Sequence, residues 1–305
     1  MATAPLPLDL QLNGYAGIDF AAADLTPAML AHAAEAVRRD GGGQALATLI
    51  TDDLAVLEAR IACLAECIAG DARIRETFPG IHVEGPFIRA DKGYVGAHPQ
   101  EHAVAADVGA ATRLVAAGRG LVRMVTLAPE RDANQATIRF LADRGILVAA
   151  GHCDPDHDEL HAAVRAGLAA FTHLGNGCPH VLPRHDNIIQ RVLACRGLRW
   201  ITFIPDAIHV PPFALSNYLR AAGIDRAIAV TDATAAGGMG PGRFCLGARE
   251  VVVGEDGAAW SADRTHLVGS TAGMGQVRTV LAGPVGLSPG EVERLTVENP
   301  HAALA

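Results

Sequence analysis

The feature that most constrains this chain is an eightfold alternation of short apolar runs with helical segments. The runs are Leu8–Leu12, Ala45–Ile50, Gly80–Glu84, Leu121–Leu127, Ile146–Ala150, Ala169–Thr172, Trp200–Ile204 and Ala227–Thr231. Each is nearly continuous in apolar residues, without the in/out alternation of a half-exposed strand, so each reads as a strand buried on both faces. Between them, helical spacing predicts Ala28–Arg39, Leu54–Ile68, His102–Ala117, Ala136–Asp143, Glu159–Arg165, Ile188–Cys195 and Pro212–Ala222. Parallel strands need crossovers of this kind, and eight such units close into a (β/α)8 TIM barrel. A doubly wound open sheet is the alternative, but the first run ends in Gln11-Leu12-Asn13-Gly14, which is no glycine-rich nucleotide turn. The expectation is a single α/β barrel domain over residues 1–305, with a β-hairpin insertion around 244–260 and C-terminal helices over 271–297.

Composition excludes other classes. Half of the 305 residues are hydrophobic and 19% are charged, enough for a core and contrary to disorder. A net charge of −8 with no run of Lys or Arg argues against a nucleic-acid or anionic-membrane partner. No apolar run approaches the ~20 residues of a membrane-spanning helix. The N-terminal segment lacks the basic start and sustained apolar stretch of a signal peptide. The six cysteines are scattered with no CxxC pair, which points to a reducing compartment, the cytoplasm.

In such a barrel, chemistry collects where the strands end at their C-termini. Those ends carry Gln11 and Asn13, His82 and Glu84, His152, His173, Asp206 and His209, and Asp232. A carboxylate and two imidazoles converging on one point suit a catalytic divalent metal, leaving a position for water. Glu84, His152 and His173 are the expected ligands, and Asp232 the acid/base that moves the water's proton. A carboxylate flanked by apolar strand residues, as Glu84 is, is costly without a cation. His157-Asp-Glu-Leu-His161 has Asp where a metalloprotease motif has Glu, and reads as a solvated helix start.

These residues resemble the N-acetylglucosamine-6-phosphate deacetylase family of the amidohydrolase superfamily. The likeness runs along the barrel through Asp9-Leu-Gln-Leu-Asn-Gly14, Ile81-His-Val-Glu-Gly-Pro-Phe87, Gly96-Ala-His98, Gly151-His152, Thr172-His173-Leu-Gly-Asn176, Asp206-Ala-Ile-His209 and Thr231-Asp-Ala-Thr234. The resemblance implies removal of the acetyl group from an N-acetyl amino sugar, N-acetylglucosamine 6-phosphate first among them. An amidohydrolase for another N-acyl substrate and a non-catalytic sugar- or metal-binding relative are the alternatives. It implies the same roles for Glu84, His152, His173 and Asp232, and gives His98 the task of polarising the amide carbonyl. It further implies that His209, Asn176 and Gly177 contact the sugar or its phosphate, and that Arg184 reaches the partner subunit's substrate in a homodimer. Gln11 and Asn13 stand where binuclear relatives carry HxH, so one metal ion is expected, Zn2+ with Fe2+ as the alternative. The sequence departs from the family pattern in three ways. The flanking β-sandwich segments are not expected in this sequence, the loop from Glu84 to His98 is about two residues longer through Tyr94-Val95, and Gly175, Gly177 and Cys178 replace larger side chains beside His173.

Overall fold

The computed structural model describes residues 5–305; residues 1–4, part of the N-terminal segment read above for a leader, lie outside the described residues. At its centre eight strands pair in sequence order within one sheet. They are β1 (Leu8–Leu12), β2 (Gln44–Ile50), β3 (Gly80–Glu84), β4 (Val122–Leu127), β5 (Leu147–Ala150), β6 (Ala170–Phe171), β7 (Trp200–Phe203) and β8 (Ala227–Ala229). Every neighbouring pair is parallel. The sheet closes just beyond β8, where Ala233 bridges Leu12. There the Asp232 amide donates to the Gln11 carbonyl at 3.0 Å and the Asn13 amide to the Ala233 carbonyl at 2.7 Å. The expected TIM barrel is therefore the observed fold.

Local chemistry sets the surrounding helices. Thr26 caps the helix Pro27–Arg39 by accepting from the Met29 amide, and Leu30, Ala33 and Val37 bury its inner face. The helix expected from His102 begins only at Val108, because the Asp107 carboxylate takes the Ala110 amide and starts the helix there. Residues 100–102 form a single 3-10 turn before it. A short helix, Ala72–Thr77, follows its own Asp71 cap. In the insertion, three antiparallel strands replace the expected hairpin: β9 (Gly242–Leu246), β10 (Arg249–Val253) and β11 (Ala259–Ser261). Gly247, at φ 58°, turns the chain between β9 and β10. Among the described residues no helix is long and apolar enough to cross a membrane.

The barrel interior is layered. Leu8, Leu10, Leu46, Met124, Leu147 and Trp200 belong to the apolar cluster that fills its lower part. Above them lies a polar layer, in which the His82 Nε2 pairs with Thr126 Oγ1 at 2.8 Å and Thr126 with Thr172 at 2.9 Å. A register shift between Asp9 and Leu12 changes which face β1 presents. Leu8 and Leu10 join the inner cluster and Leu12 the outer one, while Gln11 and Asn13 both reach Asp232.

The same bulge buries Asp9 against Thr231, whose hydroxyl and amide donate to its carboxylate, as does the Gln11 amide. Burial pushes this carboxyl up from 3.8 to about 7, against those hydrogen bonds. A folded-state pKa raised in this way gives stability that is full below the unfolded value and lost as pH rises through about 7. Asp9→Asn removes the charge and keeps acceptors for the two amides. Its urea midpoint should therefore gain on wild type between pH 5 and pH 8, by a stability difference on the order of a few kcal/mol. Parallel pH dependences for the two proteins would dismiss Asp9 as the source.

Candidate active site

Three residues two or three positions past strand ends adopt left-handed backbone: His152 at φ 51°, His173 at φ 34° and Asp232 at φ 49°. A residue with a Cβ carries a cost of roughly 1–2 kcal/mol in that region, and such strain concentrates at functional sites. His152, His173 and Asp232 line one cavity of about 850 Å3, together with Glu84, His98 and His209. That volume lies within the range of small-molecule sites.

Glu84, at the end of β3 and 2% exposed, is the hub. Its Oε1 lies 3.0 Å from His173 Nε2 and 3.5 Å from His152 Nε2, and its Oε2 lies 3.6 Å from His98 Nε2. Burial pushes the Glu84 carboxyl up, but the three imidazoles around it, His152, His173 and His98, outweigh burial and hold the group well below the usual range. Burial pulls His173 down, and its bond to the Glu84 carboxylate more than restores it, so its net shift is upward. A buried anion needs a positive charge beside it, so this arrangement favours a cation at Glu84.

The imidazoles differ in what their second nitrogen meets. The His152 Nδ1 donates to the Tyr94 carbonyl at 2.7 Å, so its Nε2 carries the lone pair that faces Glu84. The His98 Nδ1 accepts from the Thr51 amide at 3.3 Å, so its Nε2 carries the hydrogen. The His173 Nδ1 is buried without a partner among the described residues. Glu84, His98 and His152 have potential donor atoms all within 4.8 Å of one another. The tautomers nevertheless separate them: the His152 Nε2 has a lone pair free to meet a cation, whereas the His98 Nε2 carries a hydrogen. Burial, with His152 next to it, pulls the His98 ring down to about 4, which keeps it neutral. Carboxylate and imidazole donors of this kind fit one divalent ion.

Asp232 stands across from this group. Its Oδ1 accepts from Asn13 Nδ2 at 2.7 Å and from Gln11 Nε2 at 3.0 Å, so both amides grip one oxygen. Burial and the Glu84 charge push its carboxyl up, against the pull of His173, to about 6.

Asn176 and Gly177 also line the cavity, whereas Arg184 is exposed and outside its wall. The His209 Nδ1 is held by the buried Asp206 carboxylate at 2.6 Å. His82, at a strand end like the others, faces the polar layer instead. Burial lowers it to about 4, and it is a scaffold histidine. Among the other wall residues, Lys92 comes from the long loop, Trp260 from β11 and His266 from the chain that follows it.

No protein-family model matches the chain. It is 35% identical over 282 residues to the N-acetylglucosamine-6-phosphate deacetylase of Bos taurus, covering 89% of this chain and 66% of that protein, just under two thirds of its length. It is 28% identical over 301 residues to the N-acetylgalactosamine-6-phosphate deacetylase of Escherichia coli O157:H7, covering 98% and 77% of the two chains. A solved structure of a point mutant of the Mycobacterium smegmatis N-acetyl-D-glucosamine-6-phosphate deacetylase, in complex with N-acetyl-D-glucosamine 6-phosphate, superposes with a TM-score of 0.89 at 31% identity. That match covers 98% of this chain and 77% of the other. With this agreement along nearly all of the barrel, the chain belongs to the N-acetylglucosamine-6-phosphate deacetylase family.

Proposed function

We propose that the protein removes the acetyl group from N-acetylglucosamine 6-phosphate, releasing acetate and the free amine. One observation carries the reading: a buried carboxylate ringed by three imidazoles shares a cavity with Asp232. Glu84, His152 and His173 would hold a single divalent ion, Zn2+ ahead of Fe2+, which supplies Lewis acidity toward water and the acyl oxygen. Asp232 has one oxygen gripped by Gln11 and Asn13 and the other available to take the proton of the attacking water and pass it to the leaving nitrogen. The His98 Nε2–H donates to the acyl oxygen as negative charge develops on it. By resemblance, His209, Asn176 and Gly177 receive the sugar and its phosphate, and Arg184 completes the neighbouring site of a homodimer. The free cysteines fit a cytoplasmic setting.

Amine release by the metal-reconstituted protein tests this over phosphorylated and plain N-acetylhexosamines, with both gluco and galacto epimers. The 6-phosphate should raise kcat/KM by about 10–100-fold, the worth of a charge-assisted hydrogen bond or two. Equal rates with and without the phosphate would move the reading to another N-acyl substrate. Binding without turnover on every substrate would make the protein a non-catalytic relative.

A further inference from the structure

We propose that Tyr94 is a positioning residue for His152, gripping the loop after β5 at two points. The proposal rests on the metal reading above. Tyr94 belongs to the loop that the family resemblance marks as about two residues longer than usual. Its carbonyl accepts the His152 Nδ1 hydrogen at 2.7 Å, and its hydroxyl donates to Asp154 Oδ2 at 2.7 Å, two residues further along the same segment. The ring is buried under the Arg89 guanidinium, whose carbon lies 4.6 Å from the ring centroid.

The far end of the grip is anchored as well. Asp154 Oδ1 accepts from Arg191 Nη1 at 2.9 Å, and the Arg191 Nε is held by Asp186 at 2.6 Å. Close packing leaves the imidazole little room. A Cβ on Gly96 would lie 3.3 Å from the His152 ring, and one on Gly177 would lie 3.0 Å from it. Ring orientation is thus set by a carbonyl whose own place depends on the Tyr94–Asp154 bond. A partner of this kind fixes tautomer and aim, and its loss typically costs 10–100-fold in metal affinity.

The test measures the Zn2+ dissociation constant by competition with a chromophoric chelator, beside the melting temperature of the metal-free protein. Wild type, Tyr94→Phe, Asp154→Leu, the double variant and Glu84→Gln are compared. Tyr94→Phe keeps the ring under Arg89 and the carbonyl on His152, so the metal-free melting temperature should stay near wild type while Zn2+ binds about tenfold more weakly. The double variant should bind no more weakly than the worse single one, because both remove the same bond. Affinity within twofold of wild type in Tyr94→Phe, or a lowered metal-free melting temperature with unchanged affinity, would overturn the proposal. If wild type itself binds no Zn2+, or Glu84→Gln binds it equally well, the metal reading fails instead.

Discussion

Asp232→Asn should lower kcat by about 10²–10⁴-fold, the usual worth of a general acid–base group, while fold and metal content stay intact. An asparagine oxygen can keep both amide bonds that Asp232 Oδ1 now accepts, from Gln11 and Asn13. Its Nδ2 then replaces the oxygen that would move the proton, and an amide nitrogen is no base. The loss corresponds to about 3–5 kcal/mol in the transition state, with KM for the phosphorylated sugar little changed. Steady-state kinetics with elemental analysis checks both halves. A variant within tenfold of wild type would take Asp232 out of the chemistry.

The second large effect concerns Glu84→Gln. The amide matches the carboxylate in shape but brings no charge to the centre of three imidazoles. Metal affinity should fall by more than the 10–100-fold typical of an outer hydrogen-bond partner, since a direct donor and the compensating anion are lost together. A thermal shift reads it: wild type with Zn2+ at about 1,000 times its dissociation constant gains about 4 kcal/mol of stability, and the variant gains far less at the same concentration. An equal shift in both proteins would place the ion elsewhere. His173 adds a second signature, because the upward shift of its ring comes chiefly from Glu84. In the metal-free variant the imidazole should titrate lower, as NMR of the ring protons would record.

Much of this site could be read before any coordinates. Glu84, His152, His173 and Asp232 each end or follow an apolar strand, and a parallel barrel sends all such positions to one rim. What the pattern could not separate was depth. His82 and Glu84 lie two apart on one strand and share a face, yet the first sits a layer lower, bonded to Thr126. The roles of Gln11 and Asn13 depend on the register shift after Asp9, and nothing in Leu-Asp-Leu-Gln-Leu announces a bulge. His98 entered only through resemblance, since loop residues have no period to betray them. Tyr94 and Asp154 meet through the folding of two loops, which is further still from a one-dimensional signal. The start of the helix at Val108 was in principle legible, because Asp107 is a good cap, but the preceding alanines and Val104 mimicked helical spacing.

The place where the barrel closes has a consequence for how activity arises during synthesis. Glu84, His152 and His173, the donors in the proposed reading, are all translated before the eighth strand and before Asp232, the proposed proton carrier. Asp232 reaches its gripping amides through the same few bonds that join the last strand to the first. On the proposed mechanism, an intermediate that has not made this closure lacks its proton carrier and should be hydrolytically silent. Recovery of turnover after dilution from denaturant should therefore follow the final zipping of the fold.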